Sequence, residues 1–309
     1  MSSLSKLFNY LDVNFISAEM REVTQPFRFS GLAIPVNAFV QLNQGNYYIG
    51  AEMIPMMEGS FYFRPAGSIV DSSVGKSDSY LTFTKEQGFP SAEQLSKLQK
   101  VISPFEVVSG KKEVYSSVVF DVLVHNSFSL FETLQLPLIP FPAEKEFSTL
   151  VRRMCEESYE NKPGKERMLK TFTEELVIQI LRYIATLPEY NKNLDKINFL
   201  ADKRLTSIVE YISSNIGGDL SNKQLAEVCF LSEGYIGQYF KMLTDQNLQD
   251  FVEHQRLELA LQKMNTTSDS IAEIAFSVGF ADPAYFSRRF KMKYNLNANT
   301  FRNSGSSFS

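Results

Sequence analysis

The last third of the chain has apolar residues at helical spacing, interrupted by a glycine where the chain can turn. In the stretch 270–293, SIAEIAFSVGFADPAYFSRRFKMK, the apolar positions that share a helix face are Ile271, Ile274 and Ala275, followed by Phe286 and Phe290. Gly279 lies between these two groups, and glycine adopts a left-handed backbone without steric cost. The stretch therefore predicts two short helices joined by a tight turn.

Polar residues at fixed offsets mark where these helices begin. Ser270 and Glu273 have the spacing of a reciprocal capping box, and Ser221 and Gln224 have the same spacing earlier in the chain. Asp282 then offers an N-cap for the second helix of the later pair, with a proline directly after it. Proline fits the first helical position, because no backbone N–H is needed there.

The later pattern has an earlier counterpart in the same register. Ser232 precedes Phe240 by eight residues, as Asp282 precedes Phe290, and a lysine follows each phenylalanine. Two such units in register are a more specific signal than one, since single helix-turn-helix patterns occur in many small helical proteins. A short helix, a turn and a helix with basic exposed faces is an arrangement that places side chains in a DNA major groove.

Residues 205–302 resemble the DNA-binding region of AraC/XylS-family transcription regulators. The matching residues are Leu225, Ala226, Ser232, Phe240, Lys241, Arg256, Leu257, Ala260, the IAEIA run at 271–275, Gly279, Phe280, Asp282, the YFSRRFK run at 285–291, Phe301 and Arg302. Phe230 departs from the family pattern, because it stands where the first turn often has Gly. The resemblance implies an α+β protein: an N-terminal cupin-like β-barrel with helices, which binds a small effector, and a C-terminal all-α domain with two helix-turn-helix motifs.

Side chains near the start of each second helix are the candidates for reading double-stranded DNA. We expect this role for Ser232, Glu233, Gly234, Gly237, Gln238 and Lys241 in the first unit, and for Pro283, Ala284, Tyr285, Arg288, Arg289 and Lys291 in the second. Gln238 suits a bidentate contact with adenine, or else phosphate or solvent. Arg288 suits guanine or the DNA backbone, or else an ion pair within the protein. Backbone N–H groups near Ser221 and Ser270 are candidates for phosphate binding, because helix N-termini attract anions.

Charge is distributed unevenly along this region. The whole chain carries a net charge of −4, which does not predict a nucleic-acid binder by composition. Residues 205–282 have four basic and eleven acidic residues, whereas 283–309 have five basic residues and no acidic one. Since phosphate contacts dominate DNA affinity, we expect the second unit to supply most of the electrostatic attraction.

The first 142 residues show short apolar or alternating runs separated by Gly, Asn, Pro and Ser. We expect a β-rich sensor domain over 1–142, with its strands in a sandwich or barrel, a hairpin in QLNQGNYYIG at 41–50 and a helix near 91–100. Aromatic residues are concentrated here at Phe27, Phe29, Tyr47, Tyr48, Phe61, Tyr62 and Phe63. They are interpreted as sheet core, or as the lining of an apolar ligand cavity with Arg64 as an anion anchor.

Helical periodicity returns over 143–187, where a connector of two helices is expected. In the second helix the apolar stripe is broad and consists of Leu169, Phe172, Leu176, Val177, Ile180, Leu181, Tyr183 and Ile184. It is consistent with packing onto the barrel alone, or with a homodimer contact through 165–187. Residues 188–203 are polar and are interpreted as a linker, which leaves 204–309 as the DNA-binding domain.

Several classes of protein are not indicated by these residues. No apolar run reaches the roughly 18 residues of a membrane span, and the polar start does not predict a signal peptide. Only His125 and His254 are present, in different predicted domains, so we expect no metal site and no cofactor. Cys155 and Cys229 are interpreted as buried thiols in a reducing cytoplasm.

Three functional hypotheses remain at this point. The leading one is a cytoplasmic, sequence-specific DNA-binding transcription regulator, an activator that responds to a small molecule through the barrel and recruits RNA polymerase. A ligand-independent dimeric regulator is the second. The third is a cupin-type enzyme with a helical docking module, which is disfavoured because the sequence has no His pair, Ser-His-Asp set, phosphate loop or CxxC motif.

Overall fold

The computed structural model describes residues 3–34, 36–77, 79–106, 110–125, 127–197, 202–244, 246–294 and 297–303. The chain divides into two compact units, Met1–Asn198 and Phe199–Ser309. Among the described residues, no helix combines the length and the apolar character needed to cross a membrane.

The first unit is built on two β-sheets. Its strands are β1 (Leu11–Val23), β2 (Phe27–Ala33), β3 (Asn37–Gln44), β4 (Tyr47–Ile49), β5 (Ile54–Pro55), β6 (Phe61–Arg64), β7 (Ile69–Val74), β8 (Leu81–Thr84), β9 (Gln99–Ile102), β10 (Val114–Val124), β11 (Phe128–Ser129) and β12 (Ile139–Phe141). The larger sheet has the order β12-β6-β3-β10-β1-β9, with β11 beside β10, and the smaller has the order β5-β4-β7-β2-β8. Strands β2 and β8 are parallel, and the other pairs are antiparallel.

The prediction of a β-rich N-terminal region is confirmed, although the pairings do not show a closed barrel. The paired strands in the described part of the chain form two separate sheets. One core contains side chains of both sheets, including Phe27, Phe29, Tyr47, Tyr62 and Tyr115. Strand β6 is buried at all four of its positions, which explains why its sequence FYFR shows no alternation of polar and apolar residues.

The hairpin predicted at 41–50 is wrong. Strand β3 pairs with β6 and β10 in the larger sheet, whereas β4 pairs with β5 and β7 in the smaller one. Gly45 has φ +100° at this crossing, and a Cβ there would lie 2.8 Å from the carbonyl oxygen of Lys112. The glycine and the polar residues around it therefore mark a transfer between sheets. Local turn chemistry is the same for both arrangements, so the sequence did not distinguish them.

Helices of the first unit lie at its start, within it and after the strands. They are α1 (Ser3–Leu7), α2 (Ala92–Leu98), α3 (Leu130–Leu134), α4 (Lys145–Tyr159), α5 (Lys165–Ile184) and α6 (Asn191–Asp195), with 3-10 turns at Phe8–Tyr10 and Pro188–Tyr190. The helix expected near 91–100 is confirmed, and Ser91 with Gln94 forms its capping box. Helix α3 lies between the short strands β11 and β12, in a region that the sequence analysis assigned to the β-rich domain.

The apolar stripe of α5 is used within the first unit. Its aliphatic and phenylalanine side chains are between 0% and 5% exposed, and the ring of Tyr183 lies 4.2 Å from that of Phe141. The exposed positions of α5 are mainly polar, and they are Glu166, Arg167, Met168, Thr171, Glu174, Glu175 and Arg182. The same chain segment then continues into α6, where Asn193 donates hydrogen bonds to the carbonyl oxygens of Leu134 (2.9 Å) and Gln135 (3.1 Å).

The second unit is all-helical. Its helices are α7 (Lys203–Ser214), α8 (Asn222–Val228), α9 (Glu233–Thr244), α10 (Leu248–Thr266), α11 (Ile271–Ser277), α12 (Pro283–Tyr294) and α13 (Ala298–Asn303). The pairs α8–α9 and α11–α12 are the two helix-turn-helix units that the sequence predicts, and α10 lies between them. Cys155 in the first unit and Cys229 in the second are buried, as expected, and burial raises the pKa of the Cys155 thiol to about 12.

Candidate nucleic-acid interface

Both helix-turn-helix units are closed by the same backbone hydrogen bond. The N–H of Leu231 donates to the carbonyl of Ala226 at 2.9 Å in the first, and the N–H of Phe280 donates to the carbonyl of Ala275 at 2.9 Å in the second. These are bonds across six residues, as in a Schellman helix end. The two turns are therefore equivalent, although one passes through a phenylalanine.

That phenylalanine, Phe230, has a left-handed backbone. Its φ is +56°, and Gly279, at the matching position of the second helix-turn-helix unit, has φ +93°. The Phe230 ring is 95% exposed, so no packing within the described residues compensates for the backbone conformation. The sequence flagged this position as a departure from the family pattern, and the structure shows that the turn is kept at a local conformational cost.

Capping differs between the first helices of the two units. At α11 the predicted box is confirmed, since Glu273 N–H donates to Ser270 Oγ (3.2 Å) and Ser270 N–H donates to Glu273 Oε2 (2.7 Å). At α8 the predicted reciprocal box is wrong. Gln224 N–H does donate to Ser221 Oγ at 3.4 Å, but the N–H of Ser221 donates to Asp219 Oδ1 at 2.9 Å. A carboxylate thus already occupies each N-terminus that was expected to attract phosphate.

The first recognition helix, α9, has one buried and one exposed face. Ile236, Tyr239 and Phe240 point into the core of the unit. The predicted DNA contacts Ser232, Glu233, Gly234, Gln238 and Lys241 are all exposed, and Gly237 is half-buried. The exposed face carries one carboxylate and one ammonium group, so it has no net charge.

The second recognition helix, α12, begins at the predicted cap. Asp282 accepts hydrogen bonds from the N–H groups of Ala284 (2.8 Å) and Tyr285 (3.2 Å). Phe286 and Phe290 are buried, as their spacing predicts. Among the predicted contacts Ala284, Tyr285, Arg288 and Lys291 are exposed, whereas Pro283 and Arg289 are half-buried.

Two carboxylates of α10 hold part of the basic segment. Glu253 accepts hydrogen bonds from the hydroxyl of Tyr285 (2.7 Å) and from Arg289 Nε. Glu258 accepts a hydrogen bond from Lys293 Nζ at 2.5 Å. Sequence reasoning did not identify these acidic partners, although the excess of acidic residues over 205–282 was the available signal.

Among the described cations of the second helix-turn-helix unit, Arg288 and Lys291 are the exposed ones. Arg302 Nη1 donates to the carbonyl of Asp269, so Arg289, Lys293 and Arg302 all have partners within the unit. Arg288 has no ion-pair partner among the described residues, and its guanidinium lies 5.8 Å from the centre of the Tyr285 ring. Arg288 and Lys291 are thus the groups of α12 best placed to meet an external phosphate or base.

Comparison with known proteins supports the interpretation of the second unit. A family described as "Helix-turn-helix domain" matches residues 225–304. The transcriptional regulatory protein YesN of Bacillus subtilis is 34% identical over 102 residues, which are 32% of this chain and 28% of that protein. An HTH-type transcriptional regulator of Staphylococcus aureus is 31% identical over 124 residues, which are 40% of this chain and 16% of that protein. The matched region is thus less than a third of the length of these relatives.

A solved structure extends the comparison. A transcriptional regulator from Chromobacterium violaceum, described as having an AraC-type DNA-binding domain, is 24% identical to this chain with a TM-score of 0.32. The match covers 34% of this chain and 95% of that one. Residues 225–304 therefore match a helix-turn-helix domain family, in agreement with the two helix-turn-helix units that the paired motifs predict, and the sequence relatives of this region are described as transcriptional regulators.

Proposed function

We propose that this protein is a sequence-specific DNA-binding transcription regulator. The observation that carries the proposal is the pair of equivalent turns, each followed by a recognition helix with an exposed polar face at its start. Helix α10, which has 19 residues, is about 28 Å long, comparable with the roughly 34 Å of one DNA turn. Two recognition helices separated by such a spacer can enter successive major grooves on one face of a duplex.

The two helices differ in what they offer to DNA. On α9, Gln238 is suited to adenine, and the exposed charges cancel. On α12, Arg288 and Lys291 give two exposed positive charges, and Arg288 is suited to guanine. We infer that α12 supplies most of the phosphate attraction and that α9 contributes mainly base contacts.

Selection from a random double-stranded DNA library tests this proposal. The 309-residue chain is expected to enrich two short motifs separated by about one helical turn, roughly 10 to 11 base pairs. Replacing Gln238 by Ala should relax the sequence of one motif, and replacing Arg288 by Ala should relax the other. Recovery of a single motif, or of none, would contradict the proposal.

The first unit is proposed as a small-molecule sensor, in a cupin-like role. Arg64 is only 9% exposed, and its Nε is buried with no hydrogen-bond partner among the described residues. The hydroxyl of Ser72, in strand β7 of the smaller sheet, is also buried, and it interacts with the hydroxyl of Tyr47. A buried donor such as this Nε is costly when no acceptor among the described residues meets it, so the site favours an anionic ligand such as a carboxylate.

Two tyrosines lie in the electrostatic range of Arg64. Their hydroxyls, on Tyr47 and Tyr62, are 2.5 Å apart within the core that contains both sheets. Burial raises the pKa of Tyr62 to about 12, and the charge of Arg64 opposes that shift. Both hydroxyls are therefore neutral at physiological pH. One proton is used in the hydrogen bond between them, which leaves the other to donate to a bound carboxylate.

A thermal-shift screen on the full chain tests the sensor. Monocarboxylic acids of different chain length are expected to raise the Tm of the wild type by a few degrees and to leave Arg64→Gln unchanged. A panel of neutral sugars serves as the control. If no carboxylate shifts the wild type, the first unit is better described as the dimerising part of a ligand-independent regulator.

Activation through RNA polymerase, action in the cytoplasm and dimerisation complete the proposal. Since the apolar stripe of α5 is buried within the protomer, a homodimer through 165–187 would use its exposed, mainly polar face. Such an interface would be weak and salt-sensitive, because exposed ion pairs contribute little free energy.

A further inference from the structure

The two helix-turn-helix units share helix α10 but use different parts of it. Phe251, near the start of α10, packs against Phe240 of α9 with 5.1 Å between ring centres. Further along α10, Leu257, Ala260 and Met264 belong to the core of the second helix-turn-helix unit, with Phe286 and Phe290. Between these stretches lie four polar residues, 253–256. The middle of α10 is thus the point where the two units meet.

Arg256 connects the units at this point. Its Nε donates to the carbonyl of Ile216 at 3.0 Å, and its Nη2 donates to the carbonyl of Gly218 at 2.9 Å. Both carbonyls follow α7, just before the first helix-turn-helix unit. The same guanidinium lies against the turn of the second helix-turn-helix unit, because a Cβ built on Gly279 would be 2.8 Å from its Cζ. Arg256 is therefore held between the end of α7 and the turn before α12.

A second contact between the units needs a glycine. A Cβ built on Gly217 would lie 2.7 Å from the backbone carbonyl oxygen of Ser277, at the end of α11. Gly217 is not among the glycines with positive φ, so the close approach itself excludes a side chain there. The adjacent Gly218 would meet only Asn215, at 3.2 Å, within its own unit. The pair Gly217-Gly218 thus does more than end α7.

We propose that Arg256, Gly217 and Gly279 form a lock that fixes the angle between the two recognition helices and so sets the half-site spacing that the protein accepts. This inference rests on the proposed DNA-binding function for its biological meaning, but the geometry of the lock can be measured without DNA. Helix α10 alone connects the two helix-turn-helix units along a single axis. The contacts at Gly217 and Arg256 lie beside α10, and they restrict bending of the two units and their rotation about that axis.

Distance measurement between spin labels tests the lock directly. Met242 on α9 and Met292 on α12 occupy equivalent positions, and they are 68% and 70% exposed. Cysteines at these two positions can carry the labels in the full chain, since the native Cys155 and Cys229 are buried. We expect a single narrow distance distribution in the otherwise native protein.

Three substitutions and one matched control follow from the contacts. Gly217→Ala should shift the distribution, because the units must separate to clear the new methyl group. Arg256→Ala should broaden it, and Arg256→Lys should do the same, since an ammonium cannot make both directed bonds. Gly218→Ala should leave it unchanged. Circular dichroism establishes that each variant is folded, and Gly217→Ala keeps the test decisive if Arg256→Ala does not fold.

DNA selection provides the functional readout. From a random library the wild type should enrich one spacing between the two motifs. In Gly217→Ala and Arg256→Ala the enrichment of that spacing over other spacings should fall about tenfold, or about 1.4 kcal/mol. If the wild type enriches no motif, the proposed function fails, while the distance measurement still tests the lock. Unchanged distributions and unchanged spacing in both variants would overturn the lock.

Discussion

At the scale of single residues, Phe230 is the clearest case of a local conformational cost. A non-glycine residue in the left-handed region costs about 1 kcal/mol, and packing of the exposed Phe230 ring offsets little of this cost. Phe230→Gly is therefore expected to raise the local stability of the first helix-turn-helix unit by about 0.5 to 1 kcal/mol. Hydrogen exchange of the α8 and α9 amides measures this. Gly279→Ala is the opposite control and should weaken protection in α11 and α12, whereas a loss of protection in Phe230→Gly would show that the ring makes a stabilising contact.

Neighbouring arginines on α12 give a second test at this scale. Arg288 is exposed, whereas Arg289 pairs with Glu253. Arg288→Ala should weaken DNA binding and reduce the slope of log affinity against log salt by about 1, while Arg289→Ala should leave the slope unchanged. Fluorescence anisotropy over a salt series, on a fragment selected from the library, measures both. Equal changes in slope for the two variants would contradict the assignment.

Charge reversal extends that test to the balance between the two helices. Replacing Arg288 and Lys291 by Glu should weaken binding far more than Lys241→Glu does, because α12 carries the larger exposed positive charge. Comparable losses, measured at one salt concentration, would show that the two recognition helices share the phosphate attraction equally.

At the scale of elements, the junction of α7 and α9 depends on one carboxylate. Asp202 caps α7 by accepting from the N–H groups of Arg204 (2.8 Å) and Leu205 (3.2 Å), and it also accepts from the hydroxyl of Tyr239 (2.7 Å). Burial alone would raise the pKa of Asp202, but the hydrogen bond from Tyr239 and those from the backbone outweigh it and lower the pKa. Asp202 thus joins the first recognition helix to the helix behind it.

The lowered pKa of Asp202 gives a pH prediction with a definite sign. A carboxyl whose pKa is lower in the folded state stabilises that state above its unfolded pKa, about 3.9, and loses this contribution as the pH falls through its folded value. Asp202→Ala should cost about 1 kcal/mol at pH 7, and the difference from wild type should shrink below about pH 4. Urea unfolding at several pH values measures it. Asp202→Asn, which can still cap, should lose less; a difference that stays constant with pH would contradict the account.

Elements defined by local chemistry were the ones the sequence predicted well. The box at Ser270, the cap at Asp282 and the buried phenylalanines of α12 depend only on neighbours along the helix. The partner of Arg289 lies 36 residues away, so helix periodicity alone did not separate Arg289 from Arg288. The hairpin prediction at 41–50 was wrong for a related reason, because distant segments of the chain decide which strands pair.

At the scale of the whole molecule, the β-rich first unit and the all-helical second unit differ in how much of their structure the sequence predicts. In the second unit, helices follow one another in order, and the repeat itself reveals their arrangement. In the first unit, β1 pairs with β10 from Leu11 opposite Val124 to Glu22 opposite Val114, a register that no local pattern specifies. The β-rich class could be predicted, but the strand order could not.

We propose that both helix-turn-helix units bind one face of a duplex in successive major grooves. Hydroxyl-radical footprinting with the 309-residue chain, on a fragment selected from the random library, is the decisive measurement. We predict two protected stretches centred about 10 to 11 base pairs apart, of which Arg288→Glu with Lys291→Glu weakens one more than the other. A single protected stretch with the wild-type protein, or protection spread evenly around the helix, would contradict the account.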